Sequence, residues 1–453
     1  MKFLFADSQD RIDPTYDFVR DDRRDAGGGT ALDQWPHQYF GGAKQRAYDG
    51  LLVSYEIVAG AGKKYSEPQA QRLRAEGVAK FFDFPAHPTN APIFGDCGAF
   101  AYANEAIPPY QPEQIARFYQ ECRFTHGISV DHIIFAFTEN DAVKPTVEEQ
   151  ARYDVTMANA RRFLKAVRNE GYGFVPVAPI QGWNPASMAK AAKAYVKMGY
   201  DYVAIGGLVP LKVPQIHACV AAVRAAAPTV KIHLLGVTKA DHIHEFIPYR
   251  VTTFDSTSPL IRAFKDARHN YWSDAGHYTS IRIQQAGENA TMKRRILAGQ
   301  IRQEQALTQE RWALERLRAI DALPTPPSRA EVDIALEDIL LYNAYLDEKC
   351  DALRVAAPGR QETLFTGSEP WQFGWNPGFT ADYRRSLLDR PWKQCPCRVC
   401  REAGVEVILF RGSNRNKRRG FHNLYWYYQR LQQALARAAT AERPLARKQR
   451  KAV

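Results

Sequence analysis

The chain has 453 residues, 45% of them hydrophobic, enough to bury a large core as one big domain with additions or as two to three domains. Its 61 basic and 49 acidic side chains leave a net charge of +12, which points to a polyanionic partner and fits a merely soluble basic protein equally well. No apolar run approaches the roughly 20 residues of a membrane helix, and the opening MKFLFADSQD turns acidic too soon for a secretion signal; a cytoplasmic protein with no membrane attachment is expected.

Along the chain, short β-type runs begin at Phe3 (FLFA), Leu51 (LLVSY), Pro92 (PIFGDCG), His132 (HIIFAF), Phe174 (FVPVAPI), Tyr202 (YVAIGGL), Lys231 (KIHLLGV) and Thr252 (TTFDST). Several are continuously apolar, as strands buried on both faces are, and amphipathic segments such as EEQARYDVTMANARRFLKAVRNEG and PASMAKAAKAYVKMGY lie between them. Strand and helix alternating through these eight runs predict a (β/α)8 barrel, of the TIM type. The stretch between the first two runs, DDRRDAGGGTALDQWPHQYFGGAKQ, is irregular and Gly-rich, so a doubly wound open sheet is the structural alternative. AGAGKKYSE lacks the first Gly and the Ser/Thr of a phosphate loop, which excludes a nucleotide triphosphatase of that type.

From about Ala275 to Asp389 the periodicity becomes helical, and the Pro-rich LPTPPS between two long amphipathic stretches predicts a helical hairpin. NLYWYYQRLQQALARAA then reads as one helix with Leu424, Tyr428, Leu431 and Leu435 on a shared face, followed by a basic tail expected to be disordered. The expected organisation is a catalytic barrel over 1–265, a helical insertion over 266–390, a zinc module over 391–422, a closing helix over 423–440 and the tail over 441–453.

Of seven cysteines, Cys97, Cys122, Cys219 and Cys350 are scattered, whereas Cys395, Cys397 and Cys400 form C-x-C-x-x-C with His422 downstream. Three thiolates and an imidazole make a closed tetrahedral Zn2+ site, whose lack of an open position gives it a structural task. His242 and His244 in ADHIHEF lie two apart, which suits a strand, and are read as structural; the aromatic run Tyr425 to Tyr428 is assigned to packing rather than base stacking.

Working residues of a barrel sit at the C-terminal ends of its strands, which selects Asp96, Gln181, Gly206 with Gly207, and Asp255. An isolated Asp there is as well explained by capping the next helix; two such carboxylates also suit glycosidic chemistry, one as nucleophile and one trading protons.

In this order, GDCGAF, IQG, IGGL, FDSTSP, C-x-C-x-x-C and HNL resemble the signature segments of the tRNA-guanine transglycosylases, zinc-containing (β/α)8 enzymes that exchange guanine for a 7-deazaguanine. The resemblance implies that Asp255 is the nucleophile of a covalent glycosyl-enzyme, that Asp96 is the general acid/base, and that Gln181, Gly206 and the Gly207–Leu208 edge hold the base. The family's acidic base-recognition residue after the fourth strand has no match in HIIFAFTEN, where Thr138 and Glu139 stand. The 140 positions from Asp255 to Cys395 exceed the family's usual connection, and such an insertion suggests a nucleic acid other than a tRNA anticodon loop, or else a dimerisation pad. The chain is most similar to the DpdA branch, whose members insert 7-cyano-7-deazaguanine (preQ0) into DNA as part of a modification and restriction system. DNA, preQ0 and accessory proteins are therefore the implied partners, with a tRNA enzyme and a non-catalytic nucleic-acid-binding subunit as alternatives. Arg411, Arg415, Lys417, Arg418 and Arg419 in RGSNRNKRRG are the candidate phosphate contacts.

Overall fold

The structure is a computed structural model that describes residues 1–23, 33–41, 45–84, 91–287, 290–346 and 377–449. Cys350 lies outside them, as do residues 450–453 of the expected tail. The chain divides into two compact units. The first comprises Met1–Arg11, Gln34–Pro259 and Tyr427–Val453; the second comprises Ile12–Asp33 and Leu260–Trp426.

The first unit is a closed barrel of eight parallel strands in sequence order, β1 (Lys2–Ala6), β2 (Gly50–Ser54), β3 (Ile93–Asp96), β4 (His126–Ile128), β5 (Val175–Ile180), β6 (Tyr202–Ile205), β7 (Lys231–Leu234) and β8 (Thr253–Asp255), with β8 pairing back onto β1. Closure removes the doubly wound alternative, since an open sheet has two unpaired edges. Leu4, Leu52, Phe94, Ile128, Val177, Tyr202 and Ala204 fill the interior. The helices start where the sequence supplies caps. Thr146 accepts from the Glu149 N–H ahead of Val147–Asn169, and Asn184 accepts from the Ser187 N–H ahead of Pro185–Met198.

Seven of the eight runs fall on strands, and the fourth does not. The fourth strand is His126–Ile128, upstream of HIIFAF, whose buried residues follow it without joining the sheet. Their backbone bonds elsewhere, the His132 N–H to Thr156 Oγ1 at 3.0 Å and the Ile134 N–H to Gln181 Oε1 at 3.3 Å. A continuous apolar run reports burial, and here burial comes without a ladder. The true strand is camouflaged by Gly127, which is required: Gly95 and Gly127 sit opposite each other, and a Cβ at either would overlap the ring of Tyr119. Tyr119 thereby lies against β3 and β4 and donates its hydroxyl proton to the Ile128 carbonyl at 3.1 Å.

The second unit contains the expected helical hairpin, Gln303–Ala322 packed along Arg329–Leu346, with Arg316 Nε 2.7 Å from Asp338 Oδ2. The long final helix runs Gly412–Gln449, beginning earlier and ending later than the expected 423–440, so residues 441–449 of the expected tail are helical. Of the aromatic run, Tyr427 packs edge-on to Phe3 and Phe254 in the first unit, and Trp426 donates to Asp274 Oδ1 at 2.9 Å in the second, so packing accounts for both.

The arginines at the start of that helix form the polar core of the second unit. Arg415 is 1% exposed; its Nε donates to Glu406 Oε2 at 2.6 Å, its Nη1 to Asp21 and its Nη2 to the Phe18 carbonyl at 2.8 Å. Arg411 bonds Asp21 and Glu310; Arg418 caps the Asp13 carbonyl at 2.7 Å; Arg419 is shared among the carbonyls of Ala263, Val407 and Leu409. Deleting the guanidinium leaves Asp21 to Arg411 alone, Glu406 to Arg318 alone and the Phe18 carbonyl without the Arg415 donor, so Arg415→Ala is expected to lower the unfolding free energy by about 3 kcal/mol, which a urea melt measures.

Candidate active site and metal centre

Asp96 and Asp255 are the last residues of β3 and β8, where a parallel barrel opens towards its βα loops. After Asp96 the chain turns through Gly98, at φ +89, and the Gly98 N–H reaches back to Asp96 Oδ2 at 2.9 Å. No side chain fits there, because a Cβ on Gly98 would meet Glu56 and Ser54. Asp255 is held through one oxygen: the Gly236 N–H at 2.9 Å and His233 Nε2 at 3.1 Å both meet Oδ1.

A third carboxylate completes the group. Asp131, 3% exposed, follows β4, and Gln181 Nε2 donates to its Oδ2 at 2.6 Å while the Cys97 thiol donates to its Oδ1 at 3.2 Å. Sequence reasoning missed it because the fourth strand was placed too late. With the strand at His126–Ile128, the strand-end rule selects Asp131, whereas Glu139 is exposed and Thr138 spends its N–H on the Trp183 carbonyl.

Burial pushes Asp96 up to about 7, and the charges of Asp131 and Asp255 push the same way against its backbone hydrogen bonds. Asp131 is raised as well, mainly by burial, with Gln181 and Cys97 opposing. Asp96 is thus placed where one carboxyl can give and take a proton near neutrality.

Gln181 is 2% exposed and fixed at both ends, its Oε1 accepting from Ile134 and its Nε2 donating to Asp131. Gly206 makes room for it, since a Cβ there would overlap Nε2; Gly207 turns at φ +71, and Leu208 is buried beyond it. Outside these groups, Phe100 and Phe135 are 58% and 45% exposed with ring centroids 6.0 Å apart, on the loops that follow Asp96 and Asp131. His242 and His244 lie in a 3₁₀ helix, Ala240–Tyr249, not in a strand, and His242 Nδ1 pairs with Glu245 at 2.7 Å.

In the second unit Cys395, Cys397, Cys400 and His422 bring their ligand atoms within 4.8 Å of one another. His422 donates Nε2–H to the Trp272 carbonyl at 2.7 Å, which turns Nδ1 to the sulfurs at 3.5, 3.5 and 3.3 Å. Tetrahedral bonds of about 2.3 Å to sulfur and 2.0–2.1 Å to nitrogen require S···N separations of about 3.5 Å, so the donor set fits such an ion.

Arg411, Arg415, Arg418 and Arg419 are not phosphate contacts. Each is at most 5% exposed and committed to the carboxylates and carbonyls described above; Lys417 is half-buried.

A parallel barrel with carboxylates at its strand ends, one of them near neutral, beside a buried amide suits glycosyl-transfer chemistry. No protein-family model matches the chain. Over 444 residues it is 36% identical to a DNA-guanine transglycosylase of Salmonella montevideo, covering 96% of this chain and 98% of that one. The chain belongs to that transglycosylase family and is a base-exchanging enzyme.

Two predictions follow from the site. A carboxyl raised in the folded state binds protons more tightly folded than unfolded, so its contribution is lost as pH climbs from about 4 to about 7. Asp96→Asn, which fixes the uncharged form, is expected to exceed the parent in unfolding free energy by on the order of 4 kcal/mol at pH 8 and to match it near pH 4; denaturant titrations at both pH values check this. Cys397→Ser is expected to lose bound metal and thermal stability together, as elemental analysis beside a melting curve would show.

Proposed function

We propose that the enzyme exchanges guanine in DNA for 7-cyano-7-deazaguanine through a covalent intermediate on Asp255. The observation that carries this reading is the trio of carboxylates in which Asp255 is fixed by Oδ1 while Asp96 sits at about 7.

In the first half, Asp255 Oδ2 bonds to C1′ of the target deoxyguanosine as the C1′–N9 bond breaks, and Asp96 gives its proton to the departing guanine. In the second, Asp96 takes the N9 proton of the incoming base, N9 bonds to C1′, and the bond to Asp255 breaks. The cycle returns every proton and needs no redox cofactor.

Guanine and preQ0 share the edge bearing O6, N1–H and the 2-amino group. Asp131 accepts from the two donors and Gln181 donates to O6, so one pocket serves both bases, with the backbone at Gly206, Gly207 and Leu208 closing it. Reaching the pocket takes the nucleotide out of its stack at a cost of about a few kcal/mol, and the exposed rings of Phe100 and Phe135 offer a stacking face in return. The ion of the Cys3His group is Zn2+, closed to substrate and structural. The net charge of +12 and the relative's name support DNA as the polymer, and the cytoplasm as the place of work; other proteins of a modification system would act on the product. No described helix is long and apolar enough to cross a membrane.

Purified protein incubated with labelled preQ0 and either plasmid DNA or bulk tRNA is expected to label DNA alone; label confined to tRNA would overturn the choice of polymer. Asp255→Asn is expected to abolish labelling and leave DNA affinity within about twofold, and continued exchange by that variant would refute the nucleophile.

A further inference from the structure

We infer that His233 is a positioning residue for Asp255, set in a single tautomer by a hydrogen-bond chain that runs through the barrel interior. The inference rests on Asp255 being the nucleophile.

His233 is 0% exposed and lies on β7, in register with Thr253 of β8; Thr253 and Asp255 are two apart and so present side chains to the same face. The ring therefore meets both. Nδ1 is 2.7 Å from Thr253 Oγ1, which is 2.7 Å from the Tyr202 hydroxyl, and Nε2 is 3.1 Å from Asp255 Oδ1. Phe94 stacks against the ring at 5.0 Å and holds its plane.

An ionised carboxylate only accepts, which puts the proton on Nε2. Nδ1 must then accept from the Thr253 hydroxyl, and Thr253 in turn accepts from Tyr202. Every hydrogen in the chain has one direction, with Tyr202 at its start and Asp255 at its end. No proton has to travel along it.

What the chain supplies is orientation. With His233 and the Gly236 N–H both on Oδ1, Oδ2 is the oxygen presented to C1′. In the covalent intermediate Oδ1 becomes the ester carbonyl and keeps both donors. As the second base arrives and the carboxylate leaves, the same donors receive the returning charge, so both half-reactions gain.

The tautomer is read directly, with no substrate, from the nitrogen-15 spectrum of histidine-labelled protein. His233 is expected to carry its proton on Nε2; a proton on Nδ1 alone would overturn the inference. In exchange assays, His233→Phe is expected to lower kcat about a hundredfold, with KM for preQ0 and the melting temperature nearly unchanged, and His233→Gln, which restores a donor, to recover part of the loss. Should His233→Phe not fold, Thr253→Val removes the tautomer lock, at the cost of the Tyr202 hydroxyl's acceptor, and is expected to lower kcat about tenfold. Parent-level kcat in a folded His233→Phe, beside an inactive Asp255→Asn, would sink the positioning role and spare the nucleophile; an active Asp255→Asn would sink the nucleophile itself.

Discussion

Three carboxylates within electrostatic reach of one another, two of them buried, are the constraint on which the first unit is built. Desolvation opposes ionisation of Asp96 and Asp131, neighbouring charges add to it at Asp96, and each of the three acids has different partners. Asp255 has two donors on a single oxygen; Asp131 has an amide and a thiol, one on each oxygen; Asp96 has backbone hydrogen bonds that leave it near 7. Asp96, raised to about 7 by burial and by the charges of Asp131 and Asp255, is the acid suited to trade protons near neutrality.

Those partners come at a cost in backbone freedom that glycine meets. Gly98 takes a left-handed turn so that its N–H can reach Asp96, Gly236 does so at φ +63 beside Asp255, and Gly206 clears space for the Gln181 amide. The glycines of GDCGAF, LLGV and IGGL are therefore part of the electrostatics. Gly98 and Gly236 bring main-chain donors to Asp96 and Asp255, and Gly206 leaves room for the Gln181 amide.

Much of the barrel was legible because seven strands are short apolar runs bounded by turn residues, and because strand ends are where such a fold does chemistry. The exception is instructive. THGIS looks like a turn, since Gly127 was selected to admit Tyr119 and not to strengthen a strand, while the apolar HIIFAF looks like the strand it is not. That single misplacement hid Asp131. His233 was hidden for a different reason: within KIHLLGV it is one polar residue in an apolar run, and its meaning lies in Thr253 and Asp255, which the sequence places about twenty positions away.

The basic run RGSNRNKRRG shows where reading charge from sequence stops. Arg415, Arg418 and Arg419 are spaced at 3 and 1, which gathers them towards one side of the helix, and that side faces inwards, as does Arg411 just ahead of the first helical residue. Guanidinium can be buried in this way because its five donors are satisfied by carbonyls and carboxylates in fixed directions, as Arg419 is by Ala263, Val407 and Leu409. His422 follows three residues later on the same helix, with its Nε2 tied to Trp272 and Nδ1 turned to the three cysteines. The arginines and the imidazole thus fix one helix face by two chemistries, ion pairing towards Asp21 and Glu406 and an imidazole nitrogen set against the three thiols. A run that in a solvated loop would be the place to look for phosphate is instead the means by which the second unit orders its metal ligand.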